Sequence, residues 1–429
     1  MKFLRFLLLF SIACIAITSC QKNEQQTVHE KIGKDTTSIL DSLIIIRRDL
    51  HQYPEVAGNE KRTSQIIANY LTALGLEVKT GIAGYGVIGI LEGNPTGKKI
   101  AWRADMDAIP SNFKDPVSFK SLNKGIQHGC GHDAHVTIGL GIAKILSMNI
   151  DSVDGTIYFI FQPEEETFKG AKNMVNSDFF SELELDEVYG LHITALPVGV
   201  IATKPNEVFA YQKRIQFNFD KELKEENISE LYSKIRTKIS RVKEKTSPWK
   251  TDLAFDPAIG ITNPKTIFND YLFMEENFIL DSTETEYQLK SFLYETNNSN
   301  VNNLLPEIEN IINSTTYREN YKTSFYIQEN PTVLNDKNLT QAATSTLNLI
   351  YGDQTVQKDY GQIPYFNDDF YYFQQKTPGV YFLLGGSNND KGIIAMNHAP
   401  NFQVDEKSIK TGVQVFSSLI IERSQNSQK

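Results

Sequence analysis

The sequence predicts a layered α/β protein interrupted by a smaller ferredoxin-like unit. Three observations carry that prediction. From Ile44 to about Glu207, segments of helical apolar spacing alternate with short runs rich in β-branched and aromatic residues. After Glu207 the order becomes strand, helix, strand, strand, helix, strand, the β-α-β-β-α-β pattern. The first pattern then resumes at DKNLTQAATSTLNLIYG, so the smaller unit is an insertion.

In chain order, IIIRRDLHQYPE predicts a helix ending near Pro54, and NEKRTSQIIANYLTALG a second. The latter places Ile66, Ile67, Tyr70, Leu71 and Leu74 at helical spacing before Gly75 as stop signal. GVIGILEG and KIAWRADMDAIP predict strands divided by a turn at Asn94-Pro95-Thr96-Gly97. HVTIGLGIAKIL is an apolar helix, GTIYFIFQ a strand leading into PEEE, and EVYGLHI a short strand that His192 is expected to end. In the insertion, YQKRIQFNFD, DYLFMEENFILD, TEYQLKSFLYET and KTSFYIQEN predict four strands. NISELYSKIRTKISRV and VNNLLPEIENIINS predict the helices; Ile228, Leu231, Ile235 and Ile239 share one face of the first.

The N-terminus reads differently. MKFLRFLLLFSIACIAITSC has a basic start, a short apolar run and small residues before a cysteine. This is a secretory signal over residues 1–19, with the lipobox-like ending of bacterial lipoproteins. Cys20 is the expected lipidation site, 20–34 a polar tether, and the membrane contact an anchor only. An exported protein on the periplasmic or outer-surface side of a bacterial membrane follows. The domain boundaries expected are 35–207 with 330–425 for the larger domain and 208–329 for the insertion. With 40% hydrophobic residues, 22% charged residues and a net charge of −9, the chain supports a globular core. No Lys/Arg stripe marks a nucleic-acid partner.

Cys14 leaves with the signal and Cys20 is acylated, so Cys130 is the remaining thiol of three cysteines. It lies in HGCGHDAH, residues 128–135, two positions before His132. A thiolate and an imidazole suit a borderline-soft cation such as zinc. By itself the pair fits a structural site or a polar turn as well. Glu164-Glu165-Glu166 follows a predicted strand, Asp105 and Asp107 sit in another strand's ending, and His398 lies in MNHAPNF. Their shared placement at strand ends is where open α/β sheets carry sites.

RRDLHQYPE, RADMDAIP, HGCGHDAH, FQPEEE, YGLH, PGVYFLLG and NHAPNF occur in this order, over about Leu43 to Ile409. As a set they resemble the aminoacylase-like amidohydrolases of the carboxypeptidase-G superfamily, which include hippurate hydrolases, auxin-conjugate hydrolases and N-acetyl-diaminopimelate deacetylases. The resemblance implies a dinuclear-metal hydrolase domain with a central mixed sheet flanked by helices, and a ferredoxin-like lid through which members form homodimers. It implies Cys130, His132, Glu166, His192 and His398 as ligands of two divalent ions, whether zinc, manganese, cobalt or nickel. It makes Glu165 the general base and gives Asp107, Asp133 and His135 supporting roles behind the ligands. The implied substrate is an N-acyl amino acid or a dipeptide-like amide.

The family's lid carries a Gly-Gly-His-x-x-x-Pro-His signature that stabilises the oxyanion, a contribution of about 3 kcal/mol in comparable sites. Here that stretch reads RIQFNFDKELKEENIS, and no histidine occurs between His192 and His398. The family's Glu-Asp-Phe is Asp368-Asp369-Phe370, and its Gly-rich loop after the acidic pair is Thr167-Phe168-Lys169-Gly170. An alternative reading follows from the missing histidine: a non-hydrolytic binding lipoprotein that retains the metal site.

Overall fold

The computed structural model describes residues 28–242, 251–256 and 258–425. The signal sequence expected over residues 1–19 and the expected lipidation site Cys20 lie outside them. Among the described residues no helix is long and apolar enough to cross a membrane.

The first helix, α1, covers residues 28–52. The tether expected over 20–34 is therefore corrected: 28–34 are helical. Ile32 is fully buried, and His29 Nε2 lies 3.0 Å from Glu422 Oε1 near the C-terminus. Apolar spacing decides this, because Val28 and Ile32 face the core one turn apart. Helix α2 follows at Lys61–Ala73.

The larger sheet has eight strands. In chain order these are β1 (Glu77–Ile82), β2 (Gly86–Glu92), β3 (Asn94–Asp105), β4 (Asp154–Gln162), β5 (Glu187–Pro197) and β6 (Ile201–Thr203), then two strands after the insertion. The insertion contributes β7 (Tyr211–Asp220), β8 (Leu272–Met274), β9 (Ile279–Ser282), β10 (Glu286–Glu295) and β11 (Tyr321–Asn330) to a separate sheet. The larger sheet then resumes with β12 (Val356–Lys358) and β13 (Gly379–Ser387). Its order is β1-β2-β4-β3-β5-β13-β6-β12. Neighbours β4, β3, β5 and β13 run parallel, and β2 and β6 bring antiparallel pairs, so the sheet is mixed.

The parallel strands are buried on both faces, which explains their continuous apolar runs. Along β13, Phe382 and Leu384 face one layer while Tyr381 and Leu383 face the other. The first layer is built by α1, α2, α3 (His132–Met148), α6 (Lys337–Tyr351) and α7 (Lys407–Ser424). Here α4 (Glu225–Ile239) and α5 (Leu304–Asn313) belong to the insertion. They bury Ile228, Leu231, Ile235, Ile308 and Ile312 against Ile215, Phe217 and Leu293 of the small sheet. That sheet is antiparallel, ordered β8-β10-β7-β11 with β9 also paired to β10.

Two strand expectations are corrected. DYLFMEENFILD forms two short strands, β8 and β9, because both pair with successive parts of β10. The turn expected at 94–97 falls inside β3, where the register against β4 shifts between Asn94 and Lys99. That irregularity absorbs Pro95 and Gly97 without ending the strand.

Tyr271, Phe273 and Tyr294 of the insertion share one apolar cluster with Phe370 and Tyr381 of the larger domain. Tyr271 donates its hydroxyl to Gln362 O at 2.6 Å, and Phe209 bridges Ile363. The small sheet is thereby packed onto the loop over 359–367, beside the ends of β4 and β5.

Candidate metal centre

The site forms where β3 and β4 end and β5 runs on. β3 pairs β5 from Ile100–Glu187 to Arg103–Gly190. Beyond that pairing β5 continues to Pro197, so the expectation that His192 ends its strand is corrected. The neighbouring strand stops first, and this opens the space into which His192 reaches.

Gly131 precedes α3 with φ +94, and a Cβ there would meet Phe402 at 3.2 Å. The left-handed turn is what glycine permits, and it brings Cys130 and His132 to one centre. Cys130 Sγ lies 3.4 Å from His192 Nε2. His132 donates Nδ1–H to the Asp107 carbonyl at 2.8 Å. Its Nε2 is buried without a hydrogen-bond partner, 3.8 Å from Glu165 Oε2 and 3.9 Å from Glu166 Oε1. His192 Nδ1 bonds Ile193 O at 2.8 Å, which leaves Nε2 as its free donor atom. Glu166 Oε1 lies 3.1 Å from His398 Nε2. The His398 loop is fastened by its own N–H to Gly129 O at 2.9 Å and by Asn397 Nδ2 to Cys130 O at 2.8 Å.

These donors form triads whose ligand atoms lie within 4.8 Å of one another: Cys130–His132–His192, Cys130–Glu166–His398 and His132–Glu165–Glu166. The first two share Cys130, a set suited to two adjacent cations. The chemistry of the set fits divalent ions: one thiolate, three imidazoles and a carboxylate, with a buried imidazole nitrogen left unsatisfied.

Two other groupings do not fit an ion. His135 is committed at both nitrogens, donating Nδ1–H to Asp105 Oδ1 at 2.6 Å and accepting Ile193 N–H at 2.9 Å. Asp105, Asp368 and Asp369 surround the Arg103 guanidinium at 2.5, 3.0 and 3.0 Å, so these oxygens are already engaged in ion pairs, and the one positive charge offsets part of the three carboxylates' charge. His135 thus braces Asp105 and the backbone beside His192. Asp107 Oδ2 accepts Glu166 N–H at 3.0 Å while its carbonyl fixes His132. Asp133 acts further back: its Oδ2 meets Arg47 Nε and His51 Nδ1, each at 2.8 Å, and ties α3 to α1. Its bonds go to the helix frame rather than to a ligand side chain.

Electrostatics follow from crowding. Burial, which opposes charge on His132, is outweighed by Asp105, Asp107 and Glu166, and the imidazole is pushed up to about 10. Burial pushes the Glu165 carboxyl well above its usual range, and Asp368, Glu166 and Asp369 add to it. Burial also pushes the Cys130 thiol up, with Glu166 and Glu165 next in effect. In all three the neighbouring carboxylates add to the upward shift, a local negative charge that bound cations would relieve.

A cavity of about 370 Å³ opens onto these donors. Its remaining walls include Phe168, Gln212, Tyr365, Phe366, Asn367 and Met396. Gln212 is the residue the insertion presents there, from β7. Its Nε2 donates to Tyr294 Oη at 3.3 Å and its Oε1 accepts from Asn330 at 3.1 Å. Lys213 lies on the opposite face, with Glu329 at 2.9 Å. Sequence reasoning missed Gln212, Tyr365 and Asn367. The alternation of β7 carried one signal, since Gln212 falls on the face away from Ile215, Phe217 and Phe219.

Comparison with known proteins converges on one family. The family model described as peptidase family M20/M25/M40 matches residues 101–422. A thermostable carboxypeptidase of Saccharolobus solfataricus is 32% identical over 92% of this chain and 98% of its own. The YhaA protein of Bacillus subtilis, named as an amidohydrolase, is 28% identical over 92% of this chain and 98% of its own. Among solved structures, the Bacillus subtilis YxeP protein, described as a dinuclear metal binding peptidase, superposes with a TM-score of 0.70 at 22% identity. That match covers 90% of this chain and 99% of the other.

Proposed function

The chain belongs to peptidase family M20/M25/M40, and from that membership we propose that it is a metal-dependent amidohydrolase of N-acyl amino acids or dipeptide-like amides. One observation carries the reading: His132 Nε2 is buried and unsatisfied, facing Glu165 and Glu166 across 3.8 and 3.9 Å. Cys130, His132, Glu166, His192 and His398 are the residues that would hold two divalent ions. Bound there, such ions supply Lewis acidity that polarises an amide carbonyl and acidifies water.

The chain's own groups do the rest. Asp107 and the Ile193 carbonyl fix the tautomers of His132 and His192, so both rings present Nε2 to the centre. Glu165 takes the proton of the attacking water on its carboxylate and passes it to the leaving amine nitrogen. Its buried position, which favours the protonated form, suits the second transfer. Gln212 and Asn367 are amide side chains of the cavity wall, available to a substrate carbonyl or amide. Asn367 donates Nδ2–H to Pro331 O at 2.5 Å and accepts the Asp368 N–H on Oδ1 at 2.9 Å.

A protein that keeps the metal without hydrolysis finds no support among the named relatives, which are hydrolases. Anchoring through acylated Cys20 on the outer side of the membrane belongs to the same proposal. So does pairing of two copies through β11, the small sheet's free edge, which exposes Phe325 and Ile327.

The test uses the full-length protein loaded in turn with zinc, manganese, cobalt and nickel. N-acyl amino acids and dipeptides are expected to be hydrolysed, and Glu165→Gln to lose at least about 10³-fold in kcat with metal content retained. Hydrolysis of no member of the panel, or turnover that survives the substitution, sinks the reading.

A further inference from the structure

Two aromatic residues of the cavity wall occupy a backbone conformation that costs them. Phe168 has φ +56 and Tyr365 φ +71. Left-handed backbone at a bulky non-glycine residue is a true outlier, because Cβ crowds the neighbouring carbonyl. Such outliers persist where surrounding structure fixes them, and they concentrate at functional sites.

At Phe168 the local need is only for a turn. Its N–H bonds Glu165 O at 2.8 Å, and the Gly170 N–H bonds Glu164 O at 3.2 Å, closing the short helix over Glu165–Thr167. Glycine ends helices this way without strain. A phenylalanine adds nothing to the turn, but it lines the same cavity as Glu165 and Glu166. Tyr365 lines the same cavity, with 41% of its surface exposed. Its ring stands edge-on to Tyr294 at 4.9 Å and near Phe273 at 6.3 Å, both from the insertion. Those contacts hold a strained loop residue in place against the same cavity. Phe366 and Met396 complete an apolar wall beside a set of otherwise polar donors.

We propose that Phe168 and Tyr365 are the residues that set acyl selectivity, held left-handed so that both rings grip an apolar acyl group larger than acetyl. The inference rests on the amidohydrolase reading above and names the side of the substrate that this wall receives. Aromatic rings reward a flat apolar group by burial and by edge or offset stacking. An acetyl group leaves the wall unfilled.

The experiment measures kcat/KM of the metal-loaded full-length protein for N-benzoylalanine and N-acetylalanine, and the Tm of each variant. The wild type is expected to favour benzoyl by at least about tenfold. Phe168→Gly and Phe168→Ala both remove the ring and both collapse that ratio, mainly through KM for the benzoyl substrate. Their stabilities separate strain from packing. At an ordinary position Ala is more stable than Gly, because glycine has more freedom to lose. Here Phe168→Gly is expected to melt about 2–4 °C above Phe168→Ala. Tyr365→Ala lowers the ratio independently. A wild-type enzyme that prefers acetyl, or a ratio unmoved by all three variants, overturns the inference while leaving the hydrolase reading intact. A glycine variant that melts below the alanine variant overturns the strain argument. Hydrolysis of neither substrate by the wild type, nor of any other N-acyl amino acid, defeats the parent reading instead.

Discussion

Glu60 Oε1 accepts the backbone N–H of Glu164 at 2.9 Å, joining two residues 104 positions apart. The same oxygen accepts Gly58 N–H at 3.0 Å, while Oε2 is buried without a partner. This carboxyl therefore positions the turn that carries Glu165 and Glu166, from the start of α2.

The contact makes stability depend on pH. Burial raises the Glu60 carboxyl from 4.5 to about 7, against the backbone donors that lower it. The folded state thus holds this proton more tightly than the unfolded chain does. The group's favourable contribution is complete below about pH 4.5 and is lost as pH rises through about 7. Glu60→Gln keeps an accepting oxygen and removes the charge. Its unfolding free energy relative to wild type is expected to improve by roughly 3 kcal/mol between pH 4.5 and pH 8. Urea titrations at the two pH values measure this; an offset that does not change with pH refutes it.

Arg103 is fully buried among Asp105, Asp368 and Asp369, with Gln162 Oε1 accepting its Nε–H at 2.7 Å. Removing one partner of a buried ionic cluster leaves charge without compensation, typically a loss of about 3–5 kcal/mol. Arg103→Met is expected in that range by denaturant unfolding. Arg103→Lys recovers only part, since an ammonium cannot reproduce the planar fork that serves three carboxylates. A loss under about 1 kcal/mol for the methionine variant would show that the carboxylates share protons without needing the cation.

Cys130 is the free cysteine among the described residues, and it is buried. Loaded with cobalt, the protein is expected to show a thiolate-to-metal charge-transfer band in the near ultraviolet. Cys130→Ser should abolish the band and weaken metal binding by more than about 100-fold, the upper end seen when even an outer partner of a ligand is lost. A band that persists in the serine variant removes Cys130 from the ligand set.

The proposed anchor at Cys20 has a direct readout. In the intact organism or a bacterial host, the protein is expected in the membrane fraction and to incorporate labelled palmitate. Cys20→Ala should release most of it from that fraction and end labelling. Equal partitioning of both forms counts against lipidation at this residue.

How far the sequence reaches can be read from particular residues. The pattern of β7 and α4, the stop at Gly75 and the left-handed Gly131 are set by neighbours a few positions away, so spacing and residue type reveal them. The candidate ligands Cys130, His132, Glu166, His192 and His398 are legible by motif, since each lies in a short recognisable stretch, and the fold brings them into groups that could hold metal. The helical start at Val28 could have been read from its spacing to Ile32, but a polar composition concealed it.

What the sequence alone determined is therefore the kind of local element and the inventory of metal-seeking side chains. Tertiary structure decided which of them share a centre and which are spent elsewhere. Arg103 meets Asp369 across 266 positions, and Ile193 N–H meets His135 across 58, so one acidic group is engaged by a cation and one histidine is withdrawn from ligation. Strand order β4-β3-β5-β13 and the docking of the insertion on residues 359–367 bring these pairs together, along with Gln212 and Tyr365 in the cavity wall. Local periodicity fixes which way a side chain turns along its own strand, and only the order of strands fixes what stands opposite it.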